Sequence, residues 1–109
     1  MVTAEMMSEM TAGKRPSFIL SSNGMVQLFL RDGKKGLIVA TTREAAKEMA
    51  AMINDEHEKR VAVCEVGAVQ DETLARHIAR AVTDHGASGV FATDDGENLC
   101  FFLAPSVHK

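Results

Sequence analysis

Residues 17–40 read SFILSSNGMVQLFLRDGKKGLIVA, and this stretch decides the fold class. Two apolar runs, 17–22 and 25–31, flank Asn23-Gly24, a dipeptide that readily takes the positive φ angles of a two-residue hairpin turn. The polar run Asp32-Gly33-Lys34-Lys35-Gly36 then turns the chain into a third apolar run, 37–40. Together these segments predict a three-stranded meander.

Working outward, Thr41 and Thr42 follow at once, and Glu44 stands three residues after Thr41 in capping-box spacing. Ala45, Met49, Met52 and Ile53 then recur on one helical face, which predicts a helix over 43–56. A β-branched run at 61–66, closed by Gly67, predicts a strand. A second helix, from Asp71 as its cap to about His85, places Leu74, Ile78, Ala81 and Val82 on its apolar face, with Gly86 supplying the left-handed end. Strands over 89–93 and 98–104, joined through Asp94-Asp95-Gly96-Glu97, complete the pattern.

The order β-β-β-α-β-α-β-β predicts an α+β fold. Its sheet is expected to be mixed, mostly antiparallel, with five or six strands and two helices packed on one face. Residues 16–105 form the single domain, preceded by a flexible or short-helical Met-rich segment over 1–15 and followed by a tail over 106–109. In the N-terminal segment Thr3 is placed to cap a short helix that lines up Met6, Met7 and Met10.

The strand, threonine cap and alanine-rich helix over 36–46, with the β-α-β-β order after it, resemble in arrangement the N-terminal domains of SseB-like bacterial proteins. The likeness carries no function and no site residue with it.

A chain of 109 residues has room for one core. Its net charge of −3 argues against non-specific attraction to nucleic acid or anionic lipid, and it has no Tyr or Trp for base stacking. No apolar run approaches the ~20 residues of a membrane span, and the N-terminus lacks a basic region followed by an apolar one. The two cysteines, Cys64 and Cys100, are too sparse for a disulfide framework, so the cytoplasm is the expected compartment.

Candidate chemistry reduces to bland readings. The four histidines, His57, His77, His85 and His108, show no HxxxH spacing, and no CxxC occurs, so no metal site and no cofactor are expected. His85 falls in line with Leu74, Ile78 and Ala81, which predicts partial burial. Cys64 and Cys100 lie within apolar runs, where cysteine acts as a small hydrophobe. The Asp94–Glu97 stretch lacks the alternating ligands of a calcium loop and reads as an acidic turn.

The functional pointer is the apolar pattern of the strands over 25–30 and 99–104. Both of their faces are apolar, so something must cover the second face. The N-terminal segment, a second copy or another protein could do so. This favours a non-catalytic protein-interaction or adaptor domain, forming a homodimer, with Met6, Met7, Met10, His77 and His85 as candidate binding residues. The alternative is a small-molecule binder or small enzyme with a site built at a dimer interface around His77, His85 or a turn carboxylate.

Overall fold

The computed structural model of the chain describes residues 1–22, 25–57, 62–65 and 71–104. Its elements are α1 (Ala4–Thr11), β1 (Phe18–Ser22), β2 (Met25–Val26), β3 (Leu28–Arg31), β4 (Lys34–Ala40), α2 (Arg43–His57), β5 (Ala62–Glu65), α3 (Asp71–His85), β6 (Gly89–Thr93) and β7 (Cys100–Leu103). All strand segments belong to one mixed sheet whose main path is β2-β1-β4-β6-β7. The β4–β6 pair is parallel and the other pairs are antiparallel, so the expected α+β class and mixed sheet are observed.

The first hairpin closes with Ser22 opposite Met25. Its loop, Asn23-Gly24, lies outside the described residues. The second closes with Arg31 opposite Lys34, leaving Asp32 and Gly33 as a two-residue loop with φ of 52° and 77°. Two consecutive positive φ angles match the right-handed twist of the flanking strands. The third strand therefore starts at Lys34, and the five-residue turn read from the sequence shrinks to two residues.

The apolar run over 25–31 is not one strand. β1 and β4 pair directly at Phe18↔Ala40 and Ile19↔Val39, then diverge. β2 pairs with β1 and β3 pairs with β4 in the fork between them, and the chain breaks at Gln27, whose N–H donates to the Leu20 carbonyl at 2.8 Å.

The helices do not share a face, contrary to the sequence reading. Leu37 and Val39 of β4 join a core with Leu74, Ile78 and Ala81 of α3 and Met7 and Met10 of α1. Ile38 and Ala40, the alternate residues, join a second core with Ala45, Ala46, Met49, Ala50 and Ile53 of α2. Alternate residues of a strand point to opposite faces, so α1 and α3 lie on one side of the sheet and α2 on the other. The uninterrupted apolar run in β4 is the signature of a strand covered on both sides.

Two caps differ in detail. Thr42 caps α2, its Oγ1 accepting from the Ala45 N–H at 3.0 Å, so the Thr41–Glu44 spacing is coincidental. Thr3 caps α1, its Oγ1 accepting from the Met6 N–H at 3.1 Å. With that helix formed, Val2, Met7 and Met10 are buried in the α3-side core.

Candidate functional site

The sequence-derived candidates do not converge. Met10 is fully buried and Met7 nearly so, while Met6 packs at the margin of the same core. Offering Met7 and Met10 to a partner would require α1 to leave the sheet. His77 and His85 are both half-buried on α3, eight residues apart in chain, which puts them roughly 12 Å apart along the axis. Burial and the neighbouring Arg80 guanidinium hold the His77 imidazole below its ordinary pKa, favouring the neutral ring. The His85 carbonyl ends α3 by accepting from Lys35 Nζ at 2.9 Å, and Gly86 follows at φ 71°. Among the described residues no three His, Cys, Asp or Glu side chains gather into a metal-binding group. The His57 side chain, the Cys64 side chain and His108 lie outside what is described.

The acidic stretch forms a tightly bonded turn. Thr93 is buried, and its Oγ1 accepts from the Gly96 N–H at 2.9 Å. Asp95 accepts from the Glu97 and Asn98 N–H groups and from Asn98 Nδ2, each at 2.8 Å, and from Thr93 Oγ1 at 3.2 Å. These donors push the Asp95 carboxyl far below the usual carboxylate range. Asp94 faces the Met1 ammonium at 2.6 Å. Its acceptor oxygens thus serve the turn itself, which is a structural role.

Among the described residues the sheet ends on β5 at one side, which pairs only with β1, and on β7 at the other. Among the described residues β7 pairs only with β6. Its side chains are apolar, and none is fully buried: Cys100, Phe101 and Phe102 are half-buried and Leu103 is 76% exposed. On the α2 face the helix packs on β1, β4 and β5 and touches the β6–β7 turn at Gly96, while aromatic rings surface the middle of β6 and β7. Phe91 meets Phe29 edge-on with centroids 5.3 Å apart and Phe101 at 5.0 Å. Lys34 Nζ sits 5.1 Å from the Phe101 ring centre, a cation over an aromatic face. On the α1 face a groove of about 290 Å³ runs between α1 and β7, lined by Ala4, Met7, Thr11, Phe102 and Leu103. An unpaired strand edge with apolar rings on one side and an apolar groove on the other has the anatomy of a protein-binding surface.

The chain matches none of the protein-family models, curated proteins or solved structures compared with it. The sequence pattern points to the strand over 99–104 through its two apolar faces, without singling out its open edge. The available signal was the run Cys100-Phe101-Phe102-Leu103 at the end of the last strand: a terminal strand in a hairpin is a natural sheet edge, and one this apolar lacks the charges that normally protect an edge.

Proposed function

We propose that this chain is a non-catalytic protein-interaction domain that works by association, with a homodimer as its basic state and the cytoplasm as its compartment. The observation that carries the reading is the apolar β7 edge, which among the described residues pairs only with β6, with Leu103 76% exposed beside the half-buried rings of Phe101 and Phe102. Soluble proteins normally shield such edges with charge, proline or a covering segment. Lys35 is engaged at the end of α3, Asp95 within its turn and Lys34 over the Phe101 ring, an arrangement that favours association over catalysis. Sparse cysteines support a reducing compartment.

Sedimentation equilibrium over the micromolar range tests the reading. A species of twice 11.8 kDa, dissociating on dilution, is expected. A single 11.8 kDa species at every concentration would remove the homodimer.

A further inference from the structure

We infer that β7 pairs with β7 of a second copy, antiparallel, about a two-fold axis normal to the sheet at Phe102, so that Phe101 of each protomer lies opposite Leu103 of its partner. This names the surface for the association proposed above and rests on that reading.

The backbone dictates the parity. Ala104 N–H donates to the Ser88 carbonyl at 3.1 Å, and β7 runs against β6 with Gly89↔Leu103 and Phe91↔Phe101 opposed. In an antiparallel pair the bonded positions alternate, so Cys100, Phe102 and Ala104 turn their N–H and C=O groups toward β6. Phe101 and Leu103 turn theirs outward. A copy approaching this edge must present its own outward residues, which are again Phe101 and Leu103. Pairing Phe101 with Leu103 in both directions leaves none of those groups unmatched. Directly opposed residues share a face. The exposed Leu103 then stands against the partner's Phe101 on the α2 side, while the partner's Phe102 lies on the α1 side, level with the groove between α1 and β7.

Charge selects a second copy over an arbitrary strand. Beyond the start of β7 lies the acidic turn with Asp94, Asp95 and Glu97, where the Met1 ammonium pairs with Asp94. At the other end, Gly89 opposite Leu103 is itself opposite Gly36, next to Lys35 and Lys34, and Lys34 is opposite Arg31. There Arg31, Lys34 and Lys35 outnumber Asp32 and Asp84, the latter beside the His85 carbonyl that Lys35 reaches, and Lys34 lies over the Phe101 ring. The edge is thus negative at its N-terminal end and positive at its C-terminal end. Antiparallel pairing about a two-fold brings the negative end of each copy to the positive end of the other, whereas a parallel approach would oppose like charges. One symmetry operation satisfies the backbone parity, the exposed leucine and the charge polarity together.

Amide hydrogen exchange read by NMR on the intact chain tests the pairing. The Phe101 and Leu103 amides should exchange at least about tenfold more slowly in samples concentrated enough to be dimeric than in dilute, monomeric ones. The Cys100 and Phe102 amides, bonded to β6, should be protected at both concentrations. If the protein dimerises while the Phe101 and Leu103 amides stay fast, the association stands and the β7 pairing is wrong. Protection that does not change on dilution would mean cover from within the chain and would also overturn it. A chain monomeric throughout overturns the pairing and the homodimer together.

Discussion

The ring of Phe91 in β6 lies across the backbone of Gly36 in β4: a Cβ at Gly36 would stand 2.8 Å from Cδ2 of that ring and 2.9 Å from the Gly89 carbonyl oxygen. Gly89 is opposite Gly36 in the parallel pair and is crowded in turn by the Phe101 ring and the Phe102 carbonyl. The two glycines form a shallow floor on which the aromatic layer rests in place of a helix. Gly36→Ala should therefore cost about 1–3 kcal/mol by overpacking, a melting shift of several degrees at this size. Gly89→Ala should cost more, because a Cβ there would press much closer on the Phe102 carbonyl oxygen than one at Gly36 would on the Gly89 carbonyl. Thermal melts of both variants read this. A Gly89→Ala protein as stable as the parent would mean that β7 does not approach β6 this closely at Gly89.

α1 supplies a second test. Met10 is fully buried between α1 and the sheet, while Met6 lies only at the margin of that core. Met10→Ala should cost about 2–5 kcal/mol by leaving a cavity, and Met6→Ala much less. Thr3→Ala should cost about 1 kcal/mol through loss of the cap. Denaturant unfolding separates these values, and three silent substitutions would show that the N-terminal segment is not docked.

The sequence carried the local structure well and the layering poorly, for an identifiable reason. Turn chemistry and helical periodicity act over a few residues, so the hairpin at Asp32-Gly33, the Thr42 region and the α3 face of Leu74, Ile78 and Ala81 could be read directly. Which side of the sheet each helix covers depends on how the crossovers between β4 and β6 run in space, and no spacing encodes that. The apolar run in β4 shows only that both faces need cover, because Leu37 and Val39 on one side and Ile38 and Ala40 on the other are all apolar. The Gln27 break was hidden because Val26, Leu28 and Leu30 keep period-two spacing through it. Site residues fared worst: Met7 and Met10 attracted notice as adaptable apolar side chains, and the fold uses that property in its own core.

His77 makes the fold sensitive to mild acid. Its folded-state pKa lies below the ordinary value of 6.5, chiefly through burial and secondarily through Arg80. The unfolded chain therefore binds more protons than the folded one once pH falls below about 6.5, so stability is full above that value and declines as pH drops toward the folded-state pKa. His77→Gln should flatten the stability profile between about pH 7 and 5, measured by denaturant midpoints. An unchanged profile would assign the acid response to another group.

Asp95 acts in a lower window with the same sign. Its carboxyl is held below its ordinary value of 3.8 by backbone N–H donors from Asn98 and Glu97 and by Asn98 Nδ2. Its contribution is present above that value and lost as pH falls toward the folded-state pKa. Asp95→Asn should lower the melting temperature at neutral pH, and the gap to the parent should close in strong acid. A gap independent of pH would show that shape, and not charge, holds the turn.

The last prediction separates the β7 edge from exposed apolar surface in general. Leu103 and Leu30 are comparably exposed, at 76% and 69%, but Leu30 lies on β3, which pairs with β4 and does not form the β7 edge. A lysine at an exposed position perturbs the fold by no more than about 0.5 kcal/mol, so neither Leu103→Lys nor Leu30→Lys should alter the melting of dilute protein. Their effects on association should diverge. In the β7 pairing Leu103 stands against the partner's Phe101, and a lysine there must either carry its ammonium into the aromatic contact or pull away from it. Leu103→Lys should raise the dimer dissociation constant at least about tenfold, equivalent to 1.4 kcal/mol. Leu30→Lys should leave that constant within about threefold of the parent, since no paired residue covers it. Sedimentation velocity over a dilution series measures both constants. Equal weakening by the two lysines would show that association follows general surface hydrophobicity, and weakening by Leu30→Lys alone would move the interface to the β3 side of the sheet.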